Sequence, residues 1–269
     1  KVFEQYSIDA VVHCAGFKSL EESKLKPLEY YNDNVSCIMS LLRSMQRTGV
    51  RSLLHISSMA VYGQSSLALN EDVAFNYRYP NPYIKSQQMI EEIIGDTYKT
   101  DSEWRIAILR VANVVGAFEH GVLGEFVMPM PKNIVPLAFQ VAAQQRDVIE
   151  LQQHADTADG TVERSFVHVL DVCDTIHKTL FWLQNQSNVC DAFDIAGDVA
   201  SIQKLLNVIT EVTQTEIKTI EATFETEKLA QIGSASHKAF EILHWKHQRT
   251  LKQMIEDEWH FYQNILNNR

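Results

Sequence analysis

Apolar positions along the first half of the chain follow two alternating periods. Ile8–Cys14 is a β-branched run that stops at Ala15-Gly16 and predicts a buried strand. Across Pro27–Gly49, Leu28, Tyr31, Val35, Ile38, Leu41, Leu42 and Met45 fall at helical spacing, and Gly49 closes the pattern. Ser52–Ser57 predicts a second short strand, Pro82–Ile94 a second helix, and Trp104–Val111 a third strand. Strands separated by helices of this length need crossover connections. The pattern therefore predicts an α/β fold, a parallel sheet with helices on both faces.

The second half changes character. Gly116–Lys132 is rich in Gly and Pro and reads as a loop, followed by a helix over Asn133–Gln145 and an acidic loop over His154–Gly160. Arg164–Val169 and Ala192–Ala196 predict strands, Leu170–Leu183 a helix, and Leu251–Ile265 a closing amphipathic helix. Fewer β-branched strands and irregular spacing predict a smaller α/β lobe. The expected division is residues 1–115 for the sheet domain and 116–269 for the lobe, with some segments of the latter returning to the sheet.

Composition narrows the class. Of 269 residues, 45% are hydrophobic and 22% charged, ordinary globular values that exclude a disordered or fibrous chain. The net charge of −10, without a dense Lys/Arg run, argues against nucleic acid as a partner. No apolar run approaches the ~18 residues a membrane span needs. The four cysteines, Cys14, Cys37, Cys173 and Cys190, form no CxxC pair and are expected as buried thiols in a reducing cytoplasm. His244 and His247, at i and i+3, gather no third ligand type and predict no metal site.

Candidate chemistry concentrates in three segments. These are His13-Cys14-Ala15-Gly16-Phe17-Lys18 with Tyr30–Val35, then Ser57–Gly63, then Pro82-Tyr83-Ile84-Lys85-Ser86. Each falls at a strand end or helix start, where open parallel sheets bind ligands. A Ser and a Tyr converging there can pass a proton to or from a substrate hydroxyl. Taken singly, Tyr83 reads as a packing residue and Ser58 as a cap.

Together with Leu109–Gly116, Pro131–Asp147, Asp159-Gly160-Thr161, Arg164–Val169 and Leu243–Trp259, these segments resemble, in order, the extended short-chain dehydrogenase/reductases. The resemblance is strongest to the UDP-galactose (UDP-glucose) 4-epimerases. It implies a Rossmann-type sheet, bound NAD, a UDP-sugar substrate and an epimerisation at C4 through a transient 4-keto sugar. By the resemblance, Tyr83 is the base and Ser58 the hydroxyl that hydrogen-bonds the sugar oxygen. Lys18 and Asn34 match cofactor-contacting positions, while Asn113, Asn133 and Arg164 match positions that hold the nucleotide sugar. Tyr83, Ser58 and Asn113 are expected to line one cleft. The resemblance leaves a homodimer open.

Plainer readings stand beside these. Lys18 fits a solvated charge, Asn34 a helix-surface amide, and Asn113 a loop-stabilising residue. Arg164 fits a surface pair with Glu163 or Asp159. Asp171 is expected to cap a helix.

The sequence also departs from the family pattern. The Gly-rich turn that cradles a pyrophosphate has no counterpart ahead of Ile8, and Gly121-Val122-Leu123-Gly124 is the nearest approach among ten glycines. The expectation is a chain without the first βαβ segments of the domain, binding NAD weakly or not at all. The motif Tyr-x-x-x-Lys reads Tyr83-x-x-x-Gln87 here, so no ammonium at i+4 lowers the phenol from its usual pKa of ~10. Val111 replaces an aromatic, and Glu225, with Lys228 close by, falls where an Arg is expected. The alternative expectation is therefore a catalytically lapsed relative that only binds a nucleotide sugar or a protein partner. Met59-Ala60 after Ser58 disfavours the sugar-nucleotide 4,6-dehydratases, which use an Asp-Glu pair there.

Overall fold

The structure, a computed structural model, describes residues 2–63, 69–77, 80–119, 121–125, 131, 133–152, 158–222 and 236–267. In chain order the elements begin with α1 (Val2–Gln5), β1 (Val11–His13), α2 (Leu20–Leu25) and α3 (Pro27–Tyr30). A π-helical turn (Tyr31–Val35) leads into α4 (Ser36–Thr48), then β2 (Ser52–Ser58) and a 3-10 turn (Met59–Tyr62). Next come α5 (Pro82–Tyr98), β3 (Arg105–Val111), β4 (Asn113–Val115), α6 (Ile134–Ala142), β5 (Ile149–Leu151) and β6 (Glu163–His168). The chain continues through α7 (Val169–Gln184), β7 (Val189–Ile195), β8 (Asp198–Ser201), α8 (Ile202–Thr213), β9 (Thr219–Glu221), α9 (His237–Leu243) and α10 (Leu251–Asn267).

Contacts divide the chain into two compact units. The first comprises residues 1–111, 174–195 and 236–245; the second comprises 112–173, 196–235 and 246–269. In the first, β1, β2, β3 and β7 form a parallel sheet in that order, with His13 opposite His55, Ser57 opposite Arg110 and Arg110 opposite Asp194. Ile38, Leu42 and Met45 of α4 and Ile90 and Ile94 of α5 bury one face against Leu53, Ile106 and Ile108. Each such side chain contributes about 1.5–3 kcal/mol by leaving water. On the other face Trp182 of α7 meets Phe193 edge-on, at 5.3 Å between ring centroids. Helices therefore cover both faces, as the alternating periods predict.

The single helix expected over Pro27–Gly49 carries a π-helical turn at Tyr31–Val35. One extra residue in the turn shifts the helical phase, which a 3.6-residue pattern does not reveal. Gly49, at φ 77°, ends α4 in the left-handed conformation that glycine adopts without strain.

In the second unit, β4 and β6 run parallel and β8 pairs antiparallel with β6, while β5 and β9 form a separate parallel pair. Its core joins Phe139, Phe166, Leu205, Leu206, Ile209, Met254 and Ile255, with Trp259 and Tyr262 stacked beside Phe139. Helix α8 was not expected from sequence, although Ile202, Leu205, Leu206 and Ile209 carry its apolar stripe.

Candidate functional site

Tyr83 is the second residue of α5. Asn81 caps that helix by accepting the Ile84 N–H at 3.2 Å, and Pro82 supplies the first-turn φ. The cap is itself fully buried. Ser23 Oγ donates to Asn81 Oδ1 at 3.2 Å, and Asn81 Nδ2 donates to the Leu20 carbonyl at 3.2 Å. Ser58 ends β2, and its Oγ accepts the Ala60 N–H at 3.1 Å, starting the 3-10 turn. The Ser58 hydroxyl stands beside the Tyr83 phenol. Burial pushes that phenol above its ordinary pKa, and the neighbouring Ser58 hydroxyl opposes the shift. The structure thus brings Ser58 and Tyr83 together, each half-buried, on a strand end and a capped helix.

Gln87 lies one turn along the same face of α5. It is 7% exposed, and among the described residues its buried Oε1 has no hydrogen-bond partner. An orphaned buried amide oxygen costs about 1–3 kcal/mol. No cation is among the groups that shift Tyr83 within the described residues.

Lys18 is exposed on the loop that follows β1. Asn34 corrects the expectation of a helix-surface amide: it is 1% exposed. The π-helical turn rotates it inward, where Oδ1 accepts the Phe17 N–H at 2.8 Å. Its Nδ2 donates to the Phe17 carbonyl at 3.0 Å and to Ser86 Oγ at 3.1 Å. Asn34 therefore ties the loop carrying Lys18 to the first turn of α5.

In the second unit, Asn113 opens β4 and donates through Nδ2 to the Ser165 carbonyl at 3.0 Å. Arg164 lies on the neighbouring strand β6, with Nη1 donating to the Glu163 carbonyl at 2.9 Å. Asp159 instead bonds Ser201 Oγ at 2.5 Å and Thr161 Oγ1 at 2.8 Å. Asn133 is exposed at the start of α6 and makes no side-chain capping bond. Glu225 and Lys228 lie outside the described residues.

Other expectations are corrected. Asp171 lies in the first turn of α7; 2% exposed, it accepts the N–H groups of Gln248 and Arg249 at 3.1 Å and Arg249 Nη1 at 2.5 Å. No disulfide joins the four cysteines, yet Cys14, Cys37 and Cys173 are exposed rather than buried. Among the described residues no cluster of three or more His, Cys, Asp or Glu is arranged to hold a metal. Among them, no helix is long and apolar enough to cross a membrane.

Sequence reasoning missed Glu91, Arg110, Tyr62 and Asp194, a buried polar chain in the sheet unit. Its signal was Arg110 itself, a charge inside the apolar run Ile106-Ala107-Ile108-Leu109-Arg110-Val111.

Residues 1–195 match the family described as NAD dependent epimerase/dehydratase. UDP-glucose 4-epimerase 2 of Oryza sativa is 35% identical over 97% of this chain, which spans 64% of that relative's length. UDP-glucose 4-epimerase of Bacillus subtilis is 30% identical over 99% of the chain, which spans 78% of that relative. A solved UDP-glucose 4-epimerase of Stenotrophomonas maltophila, with bound NAD and formylated UDP-arabinopyranose, superposes with a TM-score of 0.93 at 27% identity, covering 100% of this chain and 80% of its own. The enzyme of Bifidobacterium longum in complex with NAD+ and UDP gives 0.92 at 27% identity, with the same coverage. The chain belongs to the NAD dependent epimerase/dehydratase family.

Proposed function

We propose that this chain acts as a UDP-hexose 4-epimerase, interconverting UDP-glucose and UDP-galactose through a transient 4-keto sugar. The observation that carries this reading is the Ser58 hydroxyl, at the carboxyl end of a parallel strand, standing beside the Tyr83 phenol. NAD, when bound, supplies reversible hydride acceptance from the sugar C4.

The residues present fit a dinucleotide at the end of β1. Gly16, at φ 155°, leaves the loop surface bare, and a Cβ there would come within 3.1 Å of Asn34 Oδ1. Lys18 offers an exposed ammonium beside it for a phosphate. Asn34 holds the loop through Phe17. Tyr83, once deprotonated, takes the 4-hydroxyl proton and later returns it, while Ser58 orients the sugar oxygen. Asn113, Asn133 and Arg164 are the residues we assign to the nucleotide sugar, with Arg164 meeting the diphosphate by charge. In this reading the sheet unit takes NAD and the second unit the nucleotide sugar. A reducing cytoplasm is its setting, supported by four cysteines without a disulfide.

The test is incubation of the chain with UDP-galactose and NAD, with UDP-glucose followed by NMR. Formation of UDP-glucose that disappears in Tyr83→Phe supports the epimerase. A second reading, a lapsed relative that only binds the nucleotide sugar, is favoured by Gln87, whose neutral amide stands one turn from Tyr83. UDP-sugar binding without turnover at saturating NAD would select it.

A further inference from the structure

Ser58 sits between two residues that are both anchored to one buried guanidinium. On its N-terminal side, Ser57 Oγ donates to Glu91 Oε1 at 2.6 Å. Glu91 is 6% exposed and lies on the Tyr83 face of α5, eight residues along and so two turns away. Arg110 of β3, opposite Ser57 in register, grips that carboxylate with Nη2 at 2.8 Å and Nε at 3.1 Å from Oε2. On the C-terminal side of Ser58, Tyr62 closes the 3-10 turn, and its phenol accepts from Arg110 Nη1 at 2.8 Å. The same phenol donates to Asp194 Oδ1 at 2.8 Å. Burial first, then the charge of Asp194, pushes the Tyr62 phenol well above its ordinary pKa, so it stays a donor. The guanidinium lies 5.1 Å from the Tyr62 ring centroid and 4.9 Å from that of Phe75, which leaves it little freedom to move. Gln88 adds a direct tie, Nε2 donating to the Val61 carbonyl at 2.6 Å.

From this arrangement we infer that Arg110, through Glu91–Ser57 on one side and Tyr62 on the other, is a positioning residue that sets Ser58 against Tyr83. The inference rests on the epimerase reading for its purpose, since it deepens the account of that site. Its physical content is independent of turnover. A strand end and a helix start held at several points cannot slide relative to each other, and a displacement of ~1 Å at a reacting pair costs about 10²-fold in rate. A purely structural ion pair would stabilise the unit without fixing the Ser58 hydroxyl against the Tyr83 phenol.

The experiment labels tyrosines at Cζ with 13C, assigns Tyr83 by its loss in Tyr83→Phe, and reads its chemical shift at neutral pH. Ser58→Ala calibrates the full displacement when the neighbouring hydroxyl is removed. Ser57→Ala deletes one anchor while leaving Glu91 and Arg110 paired, and Tyr62→Phe deletes the other. Each is expected to move the Tyr83 resonance by at least half of the Ser58→Ala displacement, and Ser57→Thr to restore it. Thr179→Ala, which removes a buried hydroxyl bonded to the Thr175 carbonyl elsewhere in the unit, is the control expected to leave it in place. A Tyr83 resonance unmoved in both anchor variants, with only the melting temperature lowered, would overturn the inference. If Tyr62→Phe does not fold, Ser57→Ala decides alone. A wild-type chain without turnover would defeat the proposed function but not this result, because the resonance needs no substrate.

Discussion

Asn34 grips Phe17 at both ends of its backbone, accepting the N–H at 2.8 Å and donating to the carbonyl at 3.0 Å. The side chain behaves like a strand partner for one residue, so the loop after β1 has a fixed conformation although it belongs to no sheet. Replacement tests this directly. Asn34→Ala leaves the Phe17 N–H and carbonyl without their partner, while Ser86 keeps the Tyr83 carbonyl at 2.7 Å, and loses about 1–3 kcal/mol. Asn34→Asp is expected to be worse, because a carboxylate oxygen then faces the Phe17 carbonyl. Urea unfolding of both variants measures the order. An Asn34→Asp variant as stable as the natural chain would exclude the clasp.

Gln87 makes a second prediction. Tyr83, Gln87 and Glu91 share one face of α5, and Gln87 is the member with an unsatisfied buried oxygen. Gln87→Lys brings an ammonium within one turn of the phenol. It should lower the Tyr83 pKa by a unit or more, because an opposite charge within ~4–6 Å favours the phenolate. The activity-pH profile should shift down with it, and turnover should rise several-fold. Burying the ammonium lowers stability, so the melting temperature should fall while activity rises. Unchanged turnover with a lowered Tyr83 pKa would mean that proton transfer is not what limits this chain.

Tyr83→Phe supplies the complementary outcome. It keeps the ring, and with it the edge contact to Tyr30 at 6.4 Å, but removes the hydroxyl. Turnover should be lost while the melting temperature changes little. Full activity in this variant would remove Tyr83 from the reaction.

The sheet unit was legible because its signals are local. Strand runs of Val, Ile and Leu, a closing Gly49 and Pro82 at a helix start are read within a few residues of where they act. The pairing of Ser58 with Tyr83 came from the family resemblance rather than from any local pattern. What escaped the sequence depends on partners far along the chain. Asn34 looks like a surface amide until the π-helical turn rotates it inward. Asp171 reads as a first-turn residue of α7, but residues 248 and 249, far along the chain, also bring their N–H groups to it. Arg110 was visible as a charge in an apolar strand, but its partners Glu91, Tyr62 and Asp194 lie 19, 48 and 132 − 48 = 84 residues away. In the second unit, α8 was missed despite a clear stripe, because the short strand β8 runs straight into it and blurs the change of period.

The last prediction concerns acid. His13 and His55 stand opposite each other on β1 and β2, with Nδ1 atoms 3.0 Å apart and rings stacked at 5.2 Å. At that separation one nitrogen donates and the other accepts, so the pair requires at least one neutral ring. Cys37 Sγ lies 3.7 Å from His13 Nε2, and among the described residues the buried His55 Nε2 has no hydrogen-bond partner and no carboxylate stands ready to accept a second charge at either atom. Burial, reinforced by His13, drops His55 to about 3, and burial lowers His13 as well. In the unfolded chain both return to ~6.5. Between these values the unfolded state binds more protons, so stability is full above pH ~6.5 and falls as the pH drops toward 3. The slope is up to ~1.4 kcal/mol per pH unit for each histidine. His168, also buried with a lowered pKa, adds to the same slope in the second unit. A difference measurement isolates the pair. His55→Gln keeps an acceptor for His13 but cannot take up a proton, so urea unfolding between pH 7 and 5 should show a slope shallower by about one proton. Equal slopes in the two proteins would mean that His55 already titrates normally in the folded chain, and that the stacked pair tolerates charge.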